Sequence, residues 1–257
     1  MKAFYEDGRG QLFHGEALAI MRQMEDASID AVITDPPYSS GGFTRGDRQQ
    51  KASTKYQQTG TIKGYPDFIG DNRDARSWAF WCSVWISEAF RVMKDGAYFL
   101  MFTDWCQLPS ATDAMQAGGM VWRGIVVWDK GLASRAPHKG YFRHQCEYIV
   151  WGTKGGMDIP TEGDGPWPGC FSIPIHAAEK QHMTAKPISL MAPLIQVIPP
   201  GGVVLDPFAG SGTTCVAAAM SGRRYIGVEY MEEYCKISAQ RLSEILPDIY
   251  IMEDSTR

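Results

Sequence analysis

Val203-Val204-Leu205-Asp206-Pro207-Phe208-Ala209-Gly210-Ser211-Gly212-Thr213-Thr214 decides the fold. An apolar run suited to a buried strand stops at Asp206-Pro207, passes through a turn holding two glycines, and enters an Ala-rich stretch suited to a helix. Glycines in such a turn permit close approach of a ligand. Beyond it, Arg224 to Val228 reads as another strand ending at Glu229, where an acidic side chain could bond a ribose diol in an open α/β sheet. Together the two segments imply a nucleoside cofactor.

Working outward, a second strand tip stands far upstream. Asp30-Ala31-Val32-Ile33-Thr34 is a short apolar run closed by Asp35-Pro36-Pro37-Tyr38. The prolines fix φ and lack N-H groups, so the Asp35 side chain and the neighbouring main-chain carbonyls are held as acceptors with few competing donors. Such a tip suits an amino group beside an aromatic ring, although an ordinary strand-ending turn has the same residues.

With these two motifs in this order, the chain resembles the S-adenosylmethionine-dependent DNA amino-methyltransferases in which a DPPY-type motif precedes an FxGxG motif. The resemblance covers nearly the whole sequence. It implies an α/β, Rossmann-like doubly wound and mostly parallel sheet, the class I methyltransferase fold with loop insertions, spanning 1–257 as one domain. Asp35, Pro36, Pro37 and Tyr38 are then the expected catalytic residues, and duplex DNA with a flipped base the expected substrate. S-adenosylmethionine is the expected cofactor, held by Asp206, Pro207, Phe208, Ala209, Gly210, Ser211, Gly212, Thr213 and Glu229. His182-Met183-Thr184-Ala185-Lys186-Pro187 resembles the family's H-x-T-x-K-P segment, which adds Thr184 and Lys186 and leads into a helix under the methionine part of the cofactor. Gly15-Glu16 stands where the family usually has Gly-Asp, so Glu16 is a candidate for the cofactor-adenine pocket or the base pocket; a carboxylate in the first turn of a helix accounts for it equally.

The chain has 257 residues and a formal charge of -4. That length suits one large α/β domain rather than two, and that charge excludes a protein holding nucleic acid by bulk charge. A DNA surface has to be local, and two segments supply one. Residues 39–76 lack hydrophobic periodicity and read as a flexible basic insertion, in which Arg45, Arg48, Lys51, Lys55 and Lys63 face Asp47 alone between Phe43 and Tyr65. Lys130, Arg135, Lys139 and Arg143 lie in a stretch without an acid, interleaved with Tyr141 and Phe142. The family places target recognition in the region 130–180. A solvated loop or a connecting excursion is the plain alternative for either segment.

The six cysteines form no CxxC pair, and the His and Cys spacings form no metal pattern, so no metal is expected. With no membrane-length apolar run and no leader-like N-terminus, a reducing cytoplasm is the expected location. The resemblance admits a homodimer and a cognate restriction endonuclease, and the sequence selects neither.

Patterning places strands at Gly10 to His14, Ala97 to Thr103, Trp122 to Trp128 and Cys146 to Trp151, and a final short one at Ile249 to Met252. Helices are expected from Ala17 through Met24, Ser77 to Met93, Leu108 to Gly118, Ile188 to Ile198, Thr213 to Met220 and Met231 to Leu246. The alternation predicts a largely parallel sheet. The chemistry implied is direct transfer of a methyl group to the N6 amine of adenine. The N4 amine of cytosine is the runner-up, because the same acceptors serve either exocyclic amine, and a methyltransferase-like chain that only binds DNA is the non-catalytic reading. A nicotinamide dehydrogenase would need a third glycine where Cys215 stands.

Overall fold

The computed structural model describes residues 1–37, 74–132, 139–157, 165–174 and 186–245. Its strands are β1 (Tyr5–Asp7), β2 (Gly10–His14), β3 (Ile29–Thr34), β4 (Met93–Thr103), β5 (Val121–Asp129), β6 (Cys146–Thr153), β7 (Cys170–Ser172), β8 (Val203–Asp206) and β9 (Arg224–Glu229). The helices are α1 (Ala17–Met21), α2 (Ala75–Val92), α3 (Leu108–Ala117), α4 (Ile188–Ile195), α5 (Thr213–Met220) and α6 (Glu232–Ser243). Among the described residues the strands form one sheet in the order β1-β2-β9-β8-β3-β4-β6-β5-β7.

Five adjacent strands, β2, β9, β8, β3 and β4, run parallel. Their middle is apolar on both sides, as a parallel strand covered by helices requires: Ala31, Val32 and Ile33 of β3 are fully buried. Successive residues of β3 serve opposite layers. Ala31 and Ile33 pack with Leu190, Leu194 and Val216 from α4 and α5, whereas Val32 packs with Met21, Trp85 and Met115 from α1, α2 and α3. The sheet is thus sandwiched between two helical layers, with a core on each face.

The continuous run of parallel neighbours ends at β4, though β5 and β7 pair in parallel beyond it. Strand β6 runs antiparallel to both β4 and β5. The excursion between β5 and β6 contributes no helix among its described residues, and a return without a crossover element is antiparallel. The short strands β1 and β7 have no counterpart in the sequence expectations, and Ile249 to Met252 lies outside the described residues.

Several boundaries moved, each for a local reason. Helix α2 begins at Ala75 rather than Ser77 because Asp74 caps it, its Oδ1 accepting from the amides of Arg76 and Ser77, each at 3.0 Å. It ends at Val92, and Lys94-Asp95-Gly96 already belongs to β4. Helix α1 ends at Met21, short of Met24, with Arg91 donating to the carbonyls of Met21 and Met24 at 2.9 and 3.0 Å. Arg9 does the same for α6, donating to Leu242 and Ile245 at 3.1 and 3.2 Å. Pro193 lies inside α4, which ends at Ile195 rather than Ile198. An arginine brought from elsewhere in the chain satisfies orphan helix carbonyls that the helix itself cannot.

Strand β2 lies close against β9. A Cβ built on Gly10 would fall 2.1 Å from the Tyr225 carbonyl oxygen, which is backbone and cannot swing aside. Gly10→Ala is therefore expected to lower the urea midpoint by the equivalent of about 3 kcal/mol, the upper end of the overpacking range, with an unchanged denaturant slope. An unaltered midpoint would show that the two strands separate without cost.

Candidate active site

Two strand tips meet where the strand order reverses, the position at which open α/β sheets bind ligands. Strands β3 and β8 are neighbours, with Ala31 opposite Val204 and Val32 opposite Leu205. Their tips, Thr34 leading into Asp35-Pro36-Pro37 and Asp206 leading into Pro207-Phe208, are joined by side chains: the Thr34 hydroxyl donates to Asp206 Oδ1 at 2.7 Å, and the Phe208 amide donates to the same oxygen at 3.1 Å. Asp206 is buried. Burial raises its carboxyl to about 6, against the hydrogen bonds from Thr214, Thr34 and Phe208 that favour the charged form.

The proline turn is held from α2. Trp78, one of the aromatic stripe on that helix, donates its indole N-H to the Pro37 carbonyl at 2.7 Å. The same stripe receives the other tip, since Phe208 lies 5.3 Å from Trp81 and 5.1 Å from Trp85 between ring centroids. One helix thus sets both tips. Sequence patterning placed these residues on a helix and had no signal for the indole bond.

The Gly-rich turn is shaped by β9 and α6. Glu229, at the tip of β9, accepts from the Gly210 amide at 2.8 Å and from the Met231 amide at 2.7 Å, one on each carboxylate oxygen. Burial holds its carboxyl above the usual range despite those bonds. Gly212 has φ 80°, and a Cβ there would lie 2.0 Å from Ser238 Oγ on α6, so this glycine answers to helix packing as well as to backbone conformation. Gly210, at φ 52°, differs: a Cβ there would meet nothing within 4 Å. Arg241 of α6 donates to the Ser211 carbonyl at 2.6 Å and to the Thr213 hydroxyl at 3.1 Å, fixing the far side of the turn. Ala209 donates its amide to the Val228 carbonyl at 2.9 Å. Pro207 completes the turn. The loop is preformed, with open space at Gly210 and an acidic side chain beneath it, and these residues fit a nucleoside-bearing cofactor.

A row of charges leads into Asp35 from the side of β6. Lys186 Nζ lies 2.5 Å from Asp35 Oδ2 and 3.3 Å from Glu147 Oε2, and Lys130 Nζ lies 2.9 Å from Glu147 Oε1. Burial opposes charge on both central groups. The neighbouring opposite charges outweigh it, holding Glu147 below the usual carboxylate range and Lys186 above its ordinary value. Glu147 was not among the sequence candidates. Its only signal was a lone carboxylate in the otherwise apolar or small strand Cys146–Thr153.

Glu16 is exposed and caps α1, its carboxylate accepting from the Ala19 amide at 2.7 Å. Lys139 and Arg143 are exposed, whereas Lys130 turns inward to Glu147. Tyr38, Arg45, Arg48, Lys51, Lys55, Lys63, Arg135 and Thr184 lie outside the described residues.

Asp206 gives the site a pH signature. A carboxyl moved by folding from 3.8 to about 6 binds its proton more tightly in the folded state, so its contribution to stability is fully present below pH 3.8 and is lost as pH rises through 6. Asp206→Asn removes this slope. The stability of the variant relative to the parent should rise by about 1 kcal/mol between pH 5 and pH 8 in urea titrations. A difference independent of pH would mean that Asp206 ionises normally.

Comparison with known proteins agrees with this geometry. Residues 29–164 and 160–240 match the N6/N4 methyltransferase family described as DNA methylase. The protein YubD of Escherichia coli K12, named as a methylase, is 33% identical over 236 residues, covering 91% of each chain. The type II methyltransferase M2.DpnII of Streptococcus pneumoniae is 28% identical over 260 residues, covering 94% of this chain and 92% of its own. A solved structure from Thermus thermophilus, named as a DNA modification methylase and complexed with S-adenosyl-L-methionine, superposes with TM-score 0.67 at 23% identity, covering 92% of this chain and 94% of its own. The cytosine-N4-specific PvuII DNA methyltransferase superposes with TM-score 0.71 at 18% identity, covering 96% of this chain and 90% of its own. The sheet is thus a class I methyltransferase fold, and the chain belongs to the N6-adenine and N4-cytosine DNA methylase family, whose methyl donor is S-adenosylmethionine.

Proposed function

We propose that the protein methylates the exocyclic N6 amine of adenine in duplex DNA, by flipping the base out and transferring the methyl group directly. The observation that carries this reading is the junction of the two strand tips, which sets Asp35-Pro36-Pro37 beside the preformed turn of Phe208 to Thr213. S-adenosylmethionine, when bound, supplies a methyl group made electrophilic by its sulfonium. Phe208, Gly210, Gly212 and Glu229 would hold it, with Asp206, Pro207, Ala209, Ser211 and Thr213 shaping the turn and Lys186, Thr184 and Glu16 as further candidate contacts.

The amine of adenine is a weak nucleophile because its lone pair is delocalised into the ring. As the amine forms the new N-C bond, the S-CH3 bond would break to leave a neutral thioether; positive charge develops on nitrogen until one of its protons is lost to solvent, and acceptors aimed at its hydrogens stabilise that charge. Asp35 supplies one acceptor. Of the two proline carbonyls, that of Pro37 is committed to Trp78, and that of Pro36 is assigned to the amine. A base within a duplex cannot reach this position; it has to be extruded, and Tyr38 follows the turn directly as a stacking platform. Lys139 and Arg143 would meet the DNA backbone, as would Arg135 and the basic residues Arg45, Arg48, Lys51, Lys55 and Lys63. No disulfide joins any of the six cysteines, which favours a reducing cytoplasm, and among the described residues no helix is long and apolar enough to cross a membrane.

Labelled S-adenosylmethionine, unmethylated plasmid DNA and nucleoside analysis of the product test the reading. N6-methyladenine is the expected product; N4-methylcytosine would move the assignment to the other amine, and no labelled DNA would leave a binding protein. Asp35→Ala should slow single-turnover transfer by a factor of about a hundred to a thousand, with cofactor affinity in calorimetry changed by roughly 1 kcal/mol or less. Transfer at near the parent rate would remove Asp35 from the chemistry.

A further inference from the structure

The transfer scheme leaves Glu147 without a task. It sits on β6, separated from β3 by β4, and is opposite Trp128 of β5. Only 18% of its side chain is exposed, and a carboxylate at such depth costs several kcal/mol unless paired. Here it is paired twice, by Lys130 on one oxygen and by Lys186 on the other. Lys186 is the most enclosed of the four, 9% exposed, with its ammonium also 5.0 Å from the Phe102 ring centre. The row therefore alternates in sign, positive at Lys130, negative at Glu147, positive at Lys186 and negative at Asp35.

We infer that Glu147 is a positioning residue for methyl transfer, holding the Lys186 ammonium between two carboxylates so that it supports Asp35 without absorbing it as an acceptor. The inference rests on the assignment of Asp35 to the base amine. An ionised carboxylate offers about four acceptor sites, and an ammonium shared with Glu147 leaves capacity for an incoming amine. Without the Glu147 charge, Lys186 is repelled by Lys130 and drawn onto Asp35. The acceptor strength that should meet the charge developing on the base nitrogen is then taken up by the ammonium, and the chemical step slows. A contact that served only folding would lower stability and leave the rate of the folded protein alone. A role in holding the cofactor would appear in the cofactor Kd.

The test is Glu147→Gln in the full chain, assayed by single turnover with saturating tritiated S-adenosylmethionine on plasmid DNA that the parent methylates. A ten- to hundredfold slower transfer is expected, with cofactor Kd and DNA Kd each within threefold of the parent. Combining it with Lys186→Met separates positioning from packing: the double variant should be no more than twofold slower than Lys186→Met alone, because Glu147 acts through that lysine. A Glu147→Gln rate within twofold of the parent, a loss that multiplies with that of Lys186→Met, or a loss confined to cofactor affinity would each overturn the inference. Should Glu147→Gln fail to fold, Glu147→Asp takes its place. Shortening the side chain draws the carboxylate back from Lys186, which should slow transfer three- to tenfold with unchanged affinities, and an unchanged rate would overturn the inference. A parent that transfers no label sinks the assignment of Asp35 as well, whereas an active parent with an equally active Glu147→Gln variant sinks this inference alone.

Discussion

The buried hydrogen bond from Thr34 to Asp206 is the constraint on which the site depends. It joins residues 172 positions apart in the chain. The ladder between β3 and β8 pairs Ala31 with Val204 and Val32 with Leu205 and goes no further towards the tips. Past that point no register pair joins the two strands, and backbone pairing no longer fixes the spacing of the tips. The Thr34 hydroxyl carries the connection to the very end of both strands. The carboxylate that receives it is buried and resists ionising, so part of the stability of the fold is given up to define the mouth of the crevice.

Each side of that mouth is then braced from a different element. Helix α2 sends Trp78 to the proline turn and Trp81 and Trp85 to Phe208, while α6 sends Arg241 and Ser238 to the glycine turn, and β9 sends Glu229 to the Gly210 amide. These bonds occupy donors and acceptors that a flexible loop would otherwise offer to a ligand. What remains is a surface already in shape, and binding to it forgoes little conformational entropy. Gly210 and Gly212 illustrate the division. One opens outward and the other admits Ser238, so only the first is spared a side chain for the sake of space in front of the loop.

The fold was legible because its signals are local. Apolar runs ending in Asp-Pro, Gly-rich punctuation and helical spacing lie within a dozen residues of one another, and they located the parallel strands, the helices and both tips. What patterning could not supply is pairing over distance. Nothing in Cys146 to Thr153 announces that the strand runs antiparallel beside β4, and nothing in Trp78 announces a carbonyl 41 residues upstream. Glu147 was a lone carboxylate in an apolar strand, and its partner appeared only when β6 brought it to Lys186. Arg9, Arg91 and Arg241 share this trait, for each ends a helix or braces a turn far along the chain. Long flexible donors are the residues whose partners a sequence reveals least.

The charge distribution follows from the same placement. A chain with a net charge of -4 approaches a polyanion only through local excess of positive charge. Counting residues in 130–143 overstates that excess, because Lys130 is 15% exposed and directs its charge to Glu147. Lys139 and Arg143 remain exposed at the base of the same excursion. The described residues of one short segment therefore hold two kinds of cation. The outward ones act through a screened aqueous field, and their effect fades with salt. The inward one acts through low-dielectric contacts on a row that ends at Asp35, where salt screens little. A basic stretch that reads as uniform in sequence is thus divided by burial into exposed cations and an inward one paired with Glu147.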